Sequence, residues 1–187
     1  MTTTARALAT MLASALLVGI GAAGAGASLA GKELSNEKYA KTLCTSISGI
    51  KQQVDGIDEE YNALDTTDRA AFQTAAAGLV DDVIAKVKSG QTKMKKLSPE
   101  DGGKKITRLF AAYFKELSTK LQDAVDAFRA ADPNGVAFQA DVIQLETAFS
   151  ILDVGVTDPF GEIDEQDLLG ALGDEPKCED VVTIFGG

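Results

Sequence analysis

Apolar residues recur three and four positions apart along most of the chain, and this spacing predicts four long amphipathic helices. The four apolar stripes are Leu43, Ile47, Ile50, Val54, Ile57, Tyr61, Leu64, then Phe72, Ala76, Leu79, Val83, Val87, Met94, Leu97, then Ile106, Phe110, Tyr113, Leu117, Leu121, Ala124, Phe128, and finally Phe138, Val142, Leu145, Phe149, Leu152. No segment shows the period-two alternation of a half-buried strand. The pattern therefore predicts an all-α fold.

Residues that begin and end helices lie between the stripes. The sequence Ser98-Pro99-Glu100-Asp101 has the features of a helix start, with Ser98 as N-cap and Pro99 at the first helical position. Asp65, Asp68 and Asp132 are expected to act similarly at the other junctions. The remaining prolines also fall between apolar segments: Pro133, Pro159 and Pro176. The predicted helices cover residues 35–64, 66–97, 99–131 and 133–153.

The predicted loops are very short, which places consecutive helices side by side in opposite directions. We therefore expect an up-down-up-down four-helix bundle. The fourth helix is about ten residues shorter than the others and leaves part of a groove uncovered. We expect the C-terminal segment to fill that groove with a short helix from Asp164 to Leu172, capped by Gly173 and followed by an apolar patch at residues 181–185.

The first 30 residues have the order of a secretory signal peptide. Arg6 precedes an uncharged run from Ala7 to Ala30 that is apolar at its centre and rich in small residues at its end. Cleavage is expected after Ala27 or Ala30. The alternative is an uncleaved anchor, because a run of this length can span a bilayer. No later run is long enough to do so, and we expect residues 31–187 to form one domain that is secreted or held in the cell envelope.

The chain contains two cysteines, Cys44 and Cys178. Export exposes them to oxidising conditions, which favour one disulfide. The predicted bundle also places the start of its first helix and the end of its fourth at the same end, within reach of each other. Two free buried thiols are the alternative, and no Cys-x-x-Cys motif indicates a redox-active pair. We expect the bundle to be closed by one disulfide.

Charge is unevenly distributed in a chain whose net charge is −10. Residues 153–180 carry ten acids against one base, whereas residues 86–108 carry eight bases against two acids. Both segments lie at the same end of the predicted bundle, so the favoured interpretation is that they compensate each other.

Two other interpretations of the charged end stay open. The acidic C-terminal segment 153–187 has candidate ligands for Ca²⁺ in Asp158, Glu162, Asp164 and Asp167, although their spacing does not match an EF-hand loop. Alternatively, the charged end is a partner site. The basic stretch would then contact an anionic envelope polymer, or the acidic tail a basic protein.

Catalysis is not expected from this composition. The chain has no histidine, which removes the commonest general base and metal ligand. Nucleic-acid binding is not expected either, because the chain is acidic and its lysines are not interleaved with aromatic residues. No cofactor is expected. A small apolar ligand in the bundle core is a further alternative, with candidate lining residues Phe110, Tyr113, Phe114, Phe128, Phe138 and Phe149.

The chain has a recognisable layout: an alanine-rich signal, then Tyr39-Ala-Lys-Thr-Leu-Cys44, then Pro176-Lys-Cys178-Glu near the end. This layout resembles that of small exported two-cysteine helical proteins of high-GC Gram-positive bacteria. Some of those proteins carry a lipid-attachment cysteine in the signal, and this chain has none there. The resemblance implies secretion and a disulfide-tied bundle but no active site. We therefore expect a non-catalytic binding or interaction module with an unidentified envelope or extracellular partner.

Overall fold

The computed structural model describes residues 32–154 and 159–182, without the side chains of residues 149–154 and 180–182. In chain order the elements within these residues are β1 (Lys32–Leu34), α1 (Asn36–Asn62), α2 (Arg69–Met94), β2 (Leu97–Pro99), α3 (Gly103–Ala130), α4 (Phe138–Val154), α5 (Gln166–Asp174) and α6 (Pro176–Val182). The predicted signal peptide, Asp158 and the side chains of Phe149 and of the C-terminal apolar patch lie outside the described residues.

Four long helices correspond to the four apolar stripes, so the predicted helical character is confirmed. α2 begins where the side chain of Asp68 accepts hydrogen bonds from the backbone N–H groups two and three residues further on, at 3.1 and 3.0 Å. This is the N-cap role expected of Asp68. α4 begins at Phe138, later than predicted, because Asp132 accepts a hydrogen bond from the N–H of Asn134 in a turn that precedes the helix.

β1 and β2 form a two-stranded parallel sheet, which the sequence pattern did not predict. Lys32 lies opposite Leu97. The N–H of Lys32 donates to the carbonyl of Lys96 at 2.8 Å, and the N–H of Glu100 donates to the carbonyl of Leu34 at 2.9 Å. The sheet therefore joins the segment before α1 to the connection between α2 and α3.

The predicted helix start at Ser98 and Pro99 is wrong, because both residues lie in β2. Proline is tolerated at the end of an edge strand, where its missing N–H breaks no ladder hydrogen bond. α3 instead begins after Gly102, whose φ of +74° lies in the left-handed region that glycine adopts without a steric penalty. Asp101 accepts a hydrogen bond from the side chain of Asn36 at 2.6 Å, so the turn before α3 is attached to the start of α1.

α2 and α3 run antiparallel. Gln73 near the start of α2 donates to the carbonyl of Phe128 near the end of α3 at 2.6 Å, and Gln91 near the end of α2 donates to the carbonyl of Ala111 at 3.1 Å. Phe138 of α4 stacks on Phe128 with ring centroids 5.7 Å apart. The largest fully buried side chains are Tyr39, Phe110, Phe114, Phe128, Leu43, Met94, Ile106, Leu117, Leu121, Leu145, Leu168 and Val80.

The two C-terminal helices pack against α1. Cys44 of α1 and Cys178 of α6 are buried and form a disulfide with Cα atoms 5.0 Å apart, which confirms the predicted bond. α5 begins and ends later than predicted, so Gly173 lies inside the helix and is not its C-cap. α6 was not predicted, although Pro176 occupies its first position, where proline is favourable.

Candidate functional site

Two grooves rich in basic residues run along the C-terminal half of α2. The α1–α2 groove, of about 780 Å³, is lined by Lys32, Leu34, Thr42, Ala85, Lys88, Ser89, Thr92, Lys93, Lys96 and Leu97. The α2–α3 groove, of about 470 Å³, is lined by Gln91, Lys95, Lys104, Thr107, Arg108, Ala111, Ala112 and Lys115. We call the two grooves together the basic surface. It carries seven lysines and one arginine.

The helical repeat of α2 explains where these bases lie. Val83, Val87 and Met94 are fully buried in the core, and the lysines between and beyond them fall on the remaining, exposed arc of the helix. Lys95 and Lys96 are consecutive residues just after α2, yet Lys95 lines the α2–α3 groove and Lys96 lines the α1–α2 groove. The two grooves therefore meet at the end of α2.

The bases of the basic surface have no acidic partner within the described part of the chain. Among the described residues, no aspartate or glutamate lines either groove, and none of the ion pairs includes one of the eight bases. Lys88 donates a hydrogen bond to the neutral side-chain oxygen of Gln122 at 3.3 Å. Clustered charges of one sign produce a local positive potential even though the net charge of the chain is −10.

A third groove, of about 700 Å³, is acidic. It is lined by Asn36, Glu37, Glu100, Asp101, Gln166, Asp167, Gly170, Ala171, Asp174 and Glu175. These residues come from the start of α1, the turn after β2, and the segment that contains α5 and the approach to α6. Hydrogen bonding to Ser35 is the main cause that lowers the pKa of Glu37. These carboxylates line the acidic groove and neither of the grooves that contain the lysines of α2.

Lys105 is the point where the basic stretch and the acidic tail meet. Its ammonium group lies 3.1 Å from a carboxylate oxygen of Asp164 and 3.5 Å from one of Glu165. The hydrogen bond to Asp164 is the main cause that raises the pKa of Lys105. Asp164 is 89% exposed, so this ion pair is screened by solvent and stabilises little. Among the side chains that the structure describes, Lys105 is the only base of the basic stretch that forms an ion pair with the acidic tail.

The candidate Ca²⁺ ligands do not form a recognisable site in the described segments. Asp164 is paired with Lys105, Asp167 lines the acidic groove, and Glu162 is exposed. The fourth candidate, Asp158, is not among the residues described. No cluster of three or more cysteine, aspartate or glutamate side chains in the described ranges is arranged to hold a metal ion.

Four of the aromatic residues considered for an apolar ligand contact one another in pairs in the core. Ring centroids are 5.7 Å apart between Phe128 and Phe138 and 5.3 Å apart between Tyr113 and Phe114. Tyr39 is fully buried, its hydroxyl has no hydrogen-bond partner among the described residues, and burial raises its pKa. These contacts are those of side chains that fill a core.

No protein-family model, curated protein sequence or solved structure matches the chain. Among the helices of the two described segments, none combines the length and the apolar character needed to cross a membrane.

Proposed function

We propose that this chain is an exported, non-catalytic interaction module that binds an anionic partner through the basic surface. The observation that carries the proposal is the placement of eight exposed bases in two adjoining grooves that no acidic side chain of the described residues lines. Repulsion from a chain of net charge −10 opposes the approach of an anion. The cluster of bases attracts an anion locally. Charges within a Debye length of the anion, about 8 Å at physiological salt, act on it strongly, whereas salt screens the charges that lie farther away.

The proposed architecture is the up-down-up-down bundle of α1–α4, with α5 and α6 packed against α1. The antiparallel contacts between α2 and α3 and the disulfide from α1 to α6 support this arrangement. The apolar run at residues 7–30 and the disulfide support a signal peptide and an oxidising compartment outside the cytoplasm. The absence of histidine supports a role in binding rather than in catalysis.

Retention on immobilised dextran sulfate, a flexible polyanion, tests the proposal. A variant with Lys88→Gln, Lys93→Gln, Lys95→Gln and Lys104→Gln removes four charges from the basic surface and keeps side-chain length. All four lysines are exposed, so each change should alter the free energy of unfolding by less than about 0.5 kcal/mol. We expect the native chain to bind at low salt and the variant to elute at a clearly lower salt concentration.

The matched control changes the net charge equally at positions outside both grooves: Lys41→Gln, Lys51→Gln, Lys120→Gln and Lys177→Gln. If the basic surface is the binding site, this control elutes near the native position. Equal losses in the two variants would mean that only net charge matters, and the proposal would be wrong. Lack of retention of the native chain at low salt would also refute it.

A further inference from the structure

We infer that the anionic partner is a single flexible polymer of phosphate groups whose chain occupies both grooves of the basic surface at once. This inference rests on the proposed function and goes beyond it, because it states that the two grooves form one continuous site. The feature that carries it is the meeting of the grooves at Lys95 and Lys96.

The geometry around α2 provides a continuous path for such a chain. Consecutive Cα atoms are about 3.8 Å apart, so a polymer segment leaving the α1–α2 groove at Lys96 immediately meets Lys95 of the neighbouring groove. Lys88 lies about two helical turns, roughly 10 Å, from Lys95 along the axis of α2. Bases thus follow one another around the exposed arc of the helix, at separations that a flexible polyanion with regularly repeated charges can match.

The side chains present suit a polymer of phosphate groups. Seven of the eight bases are lysines, which bind phosphate as point charges, and Arg108 adds a planar fork that matches two phosphate oxygens. Two hydroxyl groups in the α1–α2 groove, on Thr42 and Ser89, add hydrogen-bond donors for phosphate oxygens.

The residues that line the basic surface favour a flexible chain over a bilayer. Proteins that lie on membranes commonly insert apolar side chains, but the large apolar residues that are exposed in the described segments, Val136 and Ile143, line neither groove. No aromatic residue of the described segments lines either groove, so they offer the bases of a single-stranded nucleic acid nothing on which to stack.

A continuous site predicts that affinity depends on polymer length. Tripolyphosphate is long enough for one groove only, whereas long-chain polyphosphate reaches both, and the second contact then forms at a high effective concentration. Calorimetric titration of the full chain should show long-chain polyphosphate binding at least about 100-fold more tightly than tripolyphosphate, at equal phosphate-chain concentration. Each protein molecule should bind one continuous segment of the polyphosphate chain.

Single-groove variants separate one continuous site from two independent sites. The α1–α2 variant carries Lys88→Gln and Lys93→Gln, and the α2–α3 variant carries Lys104→Gln and Arg108→Gln. For a continuous site, each variant alone should reduce the affinity for long-chain polyphosphate toward that for tripolyphosphate. Each should also make the slope of log K against log salt shallower by about 1.4, since each lost base contributes roughly 0.7 for flexible polyanions.

The outcomes distinguish this inference from the proposed function. If each single-groove variant halves the number of sites and leaves the dissociation constant unchanged, the grooves act independently and the inference is wrong, while anion binding stands. If phosphatidylglycerol vesicles or polyglutamate bind more tightly than polyphosphate, the partner class is wrong. Tighter binding of single-stranded DNA at equal charge would overturn it in the same way. If none of these polyanions binds, the proposed function fails together with the inference.

Discussion

Replacing both Cys44 and Cys178 with alanine measures how much the covalent loop stabilises the folded chain. The two residues are buried and join α1 to α6, so the bond holds the C-terminal helices on the first long helix. Without it, α5 and α6 are attached to α1 by side-chain packing alone. A double substitution is needed, because a single one leaves a free thiol that can form bonds between molecules.

The size of the loop sets the expected effect. The two cysteines are separated by 134 positions in sequence. In the chain-entropy model, opening a loop of that length gives the unfolded chain back entropy worth about 5 kcal/mol at 25 °C. One kcal/mol shifts the melting temperature of a domain of about 150 residues by roughly 2–4 °C. We therefore expect the melting temperature to fall by about 10–20 °C.

Denaturant unfolding followed by circular dichroism provides the free energies, and scanning calorimetry provides the melting temperatures. The native chain with reductant is the matched control, because it opens the loop but keeps both sulfur atoms and creates no cavity in the core. A difference of less than about 1 kcal/mol between oxidised and reduced native chain would refute the loop-entropy argument. A large effect in the alanine variant alone would attribute the loss to packing.

Three further predictions concern local features. Gly102→Ala should lower the free energy of unfolding, measured by chemical denaturation, by about 1–3 kcal/mol, because φ is +74° and the new Cβ would lie 2.5 Å from a carbon of a buried isoleucine. The control Gly78→Ala should raise this free energy by about 0.5–1 kcal/mol, because Gly78 lies in exposed helix with no atom near its Cβ. Asp68→Ala should destabilise by about 1 kcal/mol through loss of the N-cap of α2, and Asp68→Asn by much less, so equal losses in the two melts would exclude capping as the cause. Millimolar Ca²⁺ should leave the melting temperature unchanged. A site of micromolar affinity would instead raise the free energy of unfolding by about 4 kcal/mol at a thousandfold excess of Ca²⁺. A rise in melting temperature that the double variant Asp164→Asn with Asp167→Asn abolishes would establish the cation site.

The long helices were predictable from their apolar stripes, and α1 and α3 bury theirs along much of their length. The short sheet was not. Its strands have three residues each and pair across the whole of α1 and α2, so no local pattern indicates them. The helix-start signal at Ser98 and Pro99 was overridden when their backbone paired with β1. Pairing between distant segments decides such cases, and a single sequence does not reveal it.

The disulfide was predictable from two cysteines and an export signal, but the basic surface was only partly so. The excess of bases in residues 86–108 is visible in the sequence, whereas Lys32 and Lys115 join the surface only through the fold. The expected compensation by the acidic tail is limited to Lys105 in the described residues, because α5 lies on α1 and its neighbouring acids face the acidic groove. The helical periodicity of α2 places Lys88 away from the core stripe, and this periodicity was the sequence signal that indicated an exposed basic surface.

The bond between Cys44 and Cys178 also determines what a single proteolytic cut does to the protein. The covalent loop contains most of α1, all of α2–α5 and the start of α6. A cut in an exposed connection, such as residues 63–68 or 131–137, would therefore leave two fragments that stay attached and keep their shared core. The cleaved protein would migrate as one species on a gel without reductant and as two with it. Outside the cell, where proteases are common, releasing a part of the loop takes a second cut or reduction of the bond.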